Sequence, residues 1–132
     1  MGSDSKVMVV DDEMIVVERL QEHLEKAGFT VEGFTESQAA MDRLAESSFQ
    51  VVVTDLKMKG PDGLEILHFA KQAHPATQVI IITGYASMDA SREAEYSGVF
   101  DFITKPFNLP AIASMVKKAA KKASRLESRS GS

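Results

Sequence analysis

Val51-Val52-Val53-Thr54-Asp55 is the stretch on which the fold turns. Three valines and a threonine with no polar alternate mark a strand buried on both faces, the condition of strands in a parallel sheet. The run closes on an acid, and a loop follows from Lys57 to Gly63, punctuated by Gly60-Pro61-Asp62-Gly63. Towards the N-terminus, Val7-Met8-Val9-Val10 has the same character and closes on Asp11-Asp12, with Glu13 next. Towards the C-terminus, Val79-Ile80-Ile81-Ile82 closes on Thr83-Gly84, and Val99 to Ile103 leads into Lys105-Pro106. Phe29 to Phe34 supplies one more short strand.

Helical spacing fills the gaps. Asp12 is positioned to cap a helix whose apolar stripe is Met14, Val17, Leu20, Leu24 and Ala27, stopped by Gly28. A second helix starts at Thr35 or Ser37 and ends near Ser47; a third runs through Leu64, Leu67 and Ala70 and stops before Pro75. A fourth starts at Ser87 or Asp89 and ends at Gly98, and the last runs from Pro106 or Pro110 to about residue 125. The order βαβαβαβαβα with short connections predicts an α/β parallel sheet covered on both faces. In such a sheet the site lies at the carboxyl ends of the strands.

A chain of 132 residues is one ordinary domain, able to bury about two-thirds of its unfolded surface. Residues 6–122 read as that domain, with residues 1–5 and 127–132 as disordered flanks or cloning residues. The absence of Cys excludes disulfides, thiolate zinc sites and Cys nucleophiles. The three His, at 23, 68 and 74, lack metal-ligand spacing. A net charge of −4 argues against direct nucleic-acid binding by this domain. No apolar run reaches the about 20 residues that span a membrane, and no leader opens the chain, so the expected location is cytoplasmic.

The strand ends bring together Asp11, Asp12 and Asp55, with Thr83 and Lys105 opposite. Clustered carboxylates repel unless a cation joins them, and hard oxygen ligands suit Mg²⁺. A carboxylate beside Mg²⁺ and a lysine is a nucleophile towards phosphorus, with the two cations neutralising the transferred group. Taken singly these residues are ordinary: a helix cap, a loop start, a strand-end threonine, a solvated lysine. Their order, each closing a separate apolar strand, is the specific signal.

These segments resemble the receiver domain of two-component response regulators over about residues 6–122. The resemblance rests on VMVVDDE (Val7 to Glu13), VVVTDLKMKGPDGLE (Val51 to Glu65), IIITGYAS (Ile80 to Ser87) and FDFITKPF (Phe100 to Phe107), the last two closest to receivers of the NtrC type. It implies a single (βα)5 flavodoxin-like, doubly wound sheet with strand order 2-1-3-4-5. It implies Asp55 as phosphoacceptor for a histidine kinase, and Mg²⁺ held by Asp11, Asp12, Asp55 and the backbone carbonyl of Lys57. Thr83 and Phe102 would be the switch pair, and Lys105, before an often-cis Pro106, the partner of the phosphoryl group. An output domain or effector and a homodimer formed on activation are the implied partners, with no membrane and no turnover of external substrates.

Two other classes are weighed against it. A Mg²⁺-dependent phosphohydrolase with an aspartyl-phosphate intermediate usually carries a second acid two residues after the nucleophile, where this chain has Lys57. A flavodoxin-like FMN module needs a phosphate loop after the first strand, where Asp11-Asp12-Glu13 would repel it. The chain departs from the receiver pattern at Lys59, where Pro is usual, and in the fourth helix, where Arg92, Glu95 and Ser97 replace apolar residues. Its remaining stripe of Met88, Ala90, Ala94 and Tyr96 is poor, so residues 86–97 are expected to be mobile, shortened or displaced before phosphorylation. The last helix carries Lys117, Lys118, Lys121, Lys122 and Arg125, read as a solvated face with cations near its C-terminus.

Overall fold

The computed structural model describes residues 5–84 and 88–130. The elements alternate as β1 (Lys6–Val10), α1 (Met14–Lys26), β2 (Thr30–Phe34), α2 (Ser37–Glu46), β3 (Val51–Asp55), α3 (Gly63–Ala73), β4 (Gln78–Thr83), α4 (Met88–Tyr96), β5 (Asp101–Thr104) and α5 (Leu109–Ser130). The strands form one sheet in the order β2-β1-β3-β4-β5, every pair parallel. This is the expected doubly wound topology.

The pleat sorts the apolar runs. Val7, Val9, Val51, Val53, Ile80 and Ile82 meet Val17, Leu20 and Leu24 of α1 and Ile112, Val116 and Ala119 of α5. The alternate residues Met8, Val10, Val52, Val79 and Ile81 meet Ala40 and Leu44 of α2, Ile66, Leu67 and Ala70 of α3 and Ala94 of α4. Successive side chains point to opposite faces, so an unbroken apolar run feeds both layers. α3 opens with a capping box: Asp62 accepts from the Glu65 amide at 2.9 Å and Glu65 from the Asp62 amide at 3.0 Å.

Three boundaries differ from expectation. α1 starts at Met14 after Glu13, and no side chain caps it from the Ncap position; Asp12 does not do so. Met14, expected in the stripe, is 60% exposed. α5 runs to Ser130 rather than stopping near 125, so residues 127–130, expected as a disordered flank, are helical. Ser5, expected in the other flank, is buried and its carbonyl accepts from the Thr30 amide at 3.0 Å.

Of the stretch expected to be mobile, residues 86 and 87 lie outside the described residues. Residues 88–96 form α4, nine residues long and the shortest described helix, and Ser97 follows in a turn. Ala94 is fully buried, Ala90 is partly so, and Arg92 and Glu95 are exposed. A polar link from α3 supplements this weak stripe: His68 Nε2 lies 2.7 Å from Ser97 Oγ and 3.8 Å from Glu93 Oε2.

β2 and α2 are clamped by a bidentate pair, Arg43 Nε to Glu32 Oε1 at 2.8 Å and Nη2 to Oε2 at 3.0 Å. Hydrogen bonding to Arg43 holds the Glu32 carboxyl below its ordinary range. A depressed carboxyl stabilises the fold above its unfolded value and loses that contribution as pH falls through its folded value. Glu32→Gln should therefore lower the melting temperature slightly at neutral pH, with the gap to wild type closing as both are taken to about pH 3 or below. A gap that stays constant across the scan would assign the loss to packing instead.

Candidate functional site

The carboxyl edge of the sheet assembles the site. β1 delivers Asp11, buried at 3% exposure, and then Asp12, exposed. β3 ends on Asp55, at 8% exposure, and β4 ends on buried Thr83. Lys105 follows β5, anchored by its amide donating to the Thr83 carbonyl at 2.7 Å, and its bond to Pro106 is cis as expected.

The Asp55 and Asp11 side chains are each aimed by a local hydrogen bond. The Leu56 amide donates to Asp55 Oδ1 at 2.8 Å, and Asp55 Oδ2 faces Lys105 Nζ at 3.6 Å. The Glu13 amide donates to Asp11 Oδ1 at 2.9 Å, while Asp11 Oδ2 accepts from Lys105 Nζ at 3.1 Å. Asp11, rather than Asp12, thus satisfies the amide of the Ncap residue. Carboxylate oxygens of Asp11, Asp12 and Asp55 all lie within 4.8 Å of one another.

Burial pushes the Asp55 carboxyl above its ordinary range, and the charge of Asp11 pushes it further; Lys105 and the Leu56 amide oppose them. For Lys105, burial works against the ammonium, but the Asp11 hydrogen bond and the charges of Asp11, Asp55 and Glu13 together raise it. Three carboxylates facing one lysine leave net negative charge in a half-buried cleft. That donor set of hard oxygens, one of them solvent-accessible, fits a divalent cation that keeps part of its water shell.

The expected residues are therefore brought together: Asp11, Asp12, Asp55 and Lys105 in one cluster, with Thr83 at the neighbouring strand end. Lys57 lies two residues beyond Asp55 on the exposed turn leaving β3. Phe102 is half-buried on β5, paired in register with Ile81 and packed on the α2–α4 side. The Tyr96 side chain, expected in the α4 stripe, lies outside the described residues.

Two contributors were not read from the sequence. Glu13 is a third carboxylate partner of Lys105, its Oε1 at 3.5 Å; the Asp11-Asp12-Glu13 triplet was the available signal. Gly63 backs onto the end of β3, its amide donating to the Leu56 carbonyl at 2.8 Å. A Cβ there would stand 2.5 Å from the Asp55 carbonyl oxygen.

Residues 7–117 match the response regulator receiver domain family model. The chain belongs to that family. The receiver domain is 35% identical over 113 residues to the DNA-binding transcriptional regulator NtrC of Escherichia coli, covering 86% of this chain and 24% of NtrC. It is 33% identical over 123 residues to the transcriptional regulatory protein FixJ of Bradyrhizobium diazoefficiens, covering 93% of this chain and 60% of FixJ. The chain thus spans about a quarter of one relative and three-fifths of the other. Among solved structures, the beryllofluoride-activated NtrC4 receiver domain dimer superposes with a TM-score of 0.83 at 31% identity, covering 93% of this chain and 99% of that one. The receiver family gives the phosphohydrolase alternative no support. No helix among the described residues is long and apolar enough to cross a membrane.

Proposed function

We propose that this receiver domain, over residues 6–122, is a phosphorylation-dependent switch that accepts a phosphoryl group on Asp55 from a histidine kinase. The observation that carries the reading is the convergence of Lys105, 3.6 Å from Asp55 Oδ2, with carboxylate oxygens of Asp11, Asp12 and Asp55 that lie within 4.8 Å of one another. Asp11, Asp12, Asp55 and the Lys57 backbone carbonyl would hold Mg²⁺. The ion supplies charge neutralisation of phosphoryl oxygens and of the crowded carboxylates when bound.

Asp55 attacks phosphorus with a carboxylate oxygen. A P–O bond forms, the donor's P–N bond breaks, and the leaving imidazole keeps the electron pair and takes up a proton. The Leu56 amide on Oδ1 holds the carboxyl so that Oδ2 is the attacking atom. Lys105 exchanges its contact with Asp11 for one with a phosphoryl oxygen. Thr83, one strand over, donates its hydroxyl to another, and Phe102 on the adjacent strand responds. Hydrolysis returns Asp55 when water attacks phosphorus in line. The reaction is self-phosphorylation and autodephosphorylation, without external turnover.

The kinase face is the mouth of the site. Ile15 is 55% exposed there, beside a hollow of about 700 Å³ between α1 and the 105–110 segment. The output domain or effector would read α4 and β5, and a homodimer formed on activation is the mode suggested by the NtrC4 receiver. NtrC, a DNA-binding transcriptional regulator, and FixJ, a transcriptional regulatory protein, support a transcriptional output.

The reading is tested with acetyl phosphate and with beryllofluoride. Lys105→Ala should weaken beryllofluoride binding by about tenfold or more, the worth of a charge-assisted hydrogen bond. It should also lower stability in Mg²⁺-free buffer, because Asp11, Glu13 and Asp55 lose their shared cation, and Mg²⁺ should restore part of that loss. Unchanged affinity would remove Lys105 from the site's chemistry. Amides of residues 88–96 should exchange faster than those of residues 64–72 in the free protein and slow on beryllofluoride binding. Equal protection in the free protein would mean that the His68 link has compensated the weak stripe.

A further inference from the structure

α5 contains six of the fifteen Lys and Arg residues and one of the nineteen Asp and Glu, a formal +5 that leaves −9 on the rest of the chain. A helix dipole favours cations only within the last turn. With the helix ending at Ser130, Lys117 and Lys121 stand more than two turns before that end, so the dipole does not account for them. Among the described residues, Lys117, Lys121 and Arg125 form no ion pair with a carboxylate.

These three follow one another at i, i+4 and i+8, on one face of α5, about 6 Å apart along the axis. That face borders α1, which packs beside α5. A hollow of about 540 Å³ opens between α5 and the connection that follows α1, with Lys117, Lys121 and Arg125 on one bank and half-buried Ala27 and Phe29, with buried Ala120, among its apolar lining. A second hollow of about 290 Å³ on α1 and the start of α5 adds Arg19 and Lys26; its one acid, Glu22, is paired with Lys26 at 3.5 Å. Phe29 precedes β2, so the larger hollow lies at the amino edge of the sheet, opposite Asp55.

We infer that the α1–α5 seam is a docking groove for an acidic segment of a partner protein that also presents an apolar side chain. Cations along the rim select negative charge, and the apolar lining takes a side chain that a phosphate backbone does not offer. An acidic helix with Glu at i, i+4 and i+8 matches the spacing of the three α5 cations. The strongly acidic remainder of the domain disfavours an extended polyanion such as DNA.

The test uses the whole chain and a fluorescently labelled helical peptide with Glu at i, i+4 and i+8 and one leucine beside them, at low salt. The peptide should bind, and the triple variant Lys117→Glu, Lys121→Glu, Arg125→Glu should weaken it by about tenfold or more. Lys118→Glu with Lys122→Glu, on the adjoining face of α5, should weaken it far less. Replacing the leucine by alanine should also cost several-fold, since the apolar lining would be left wet. No binding, an equal loss in both charge variants, an indifferent leucine, or tighter binding of a DNA duplex of matched length would each overturn the groove; the last would assign the seam to nucleic acid.

Discussion

Asp55→Ala should reduce phosphoryl incorporation from acetyl phosphate, and beryllofluoride binding, to background. Asp55 is buried, the Leu56 amide fixes its Oδ1, and its Oδ2 faces Lys105 at 3.6 Å, beyond hydrogen-bonding distance and so open to attack phosphorus. Asp11 is buried too, but both its oxygens are engaged, Oδ1 by the Glu13 amide and Oδ2 by Lys105 at 3.1 Å, and Asp12 is exposed. Incorporation at normal stoichiometry in the variant would remove Asp55 from the centre of the site. The same carboxylate costs stability before a cation arrives. Its carboxyl is raised by burial and by Asp11, and a raised carboxyl opposes folding once pH climbs past the unfolded value and ionisation is demanded. Asp55→Asn should therefore melt higher than wild type at neutral pH in Mg²⁺-free buffer. The difference should vanish as pH falls below the ordinary carboxylate range, and Mg²⁺ should narrow it by binding the wild type. A lower-melting Asn variant in metal-free buffer would show that Asp55 is held by its partners rather than crowded by them.

Gly63→Ala should do comparable damage from outside the cluster. The added methyl would stand 2.5 Å from the Asp55 carbonyl oxygen and 3.0 Å from Leu56 Cα, both backbone atoms that no rotamer change relieves. Either β3 shifts at the residue that carries the nucleophile, or α3 retreats and gives up the bond from the Gly63 amide to Leu56. Overpacking of this kind costs about 1–3 kcal/mol, occasionally more. The expected result is a melting temperature lowered by several degrees together with slower phosphoryl incorporation by the fraction that still folds. A variant that melts and reacts like wild type would mean that α3 can move back freely.

The strands were legible because the sheet is parallel: burial on both faces leaves unbroken apolar runs such as Val51-Val52-Val53, and turn residues bound them. The strand-end chemistry was legible for the same reason, since Asp11, Asp55, Thr83 and Lys105 stand where those runs stop. Local competition was harder to read. Asp12 is in sequence a good cap, yet it is the Asp11 carboxylate that takes the Glu13 amide. Gly63 was read only as a loop residue, because its close approach to β3 exists only once α3 has docked. The extent of α5 was in principle available: residues 111–130 contain no Gly or Pro, and the first breaker is Gly131. The polar character of α4 was legible, and Arg92 and Glu95 are exposed, but the link from His68 was not, since it joins α3 to Ser97, 29 residues away and just past the end of α4.

The most direct measurement is the site of phosphorylation in the wild-type chain. After incubation with acetyl phosphate and Mg²⁺, reductive trapping of the acyl phosphate followed by peptide mapping should find one modification per chain, at Asp55, and none when Mg²⁺ is chelated. Modification at Asp11, Asp12 or any other residue, or equal labelling without Mg²⁺, would contradict the account.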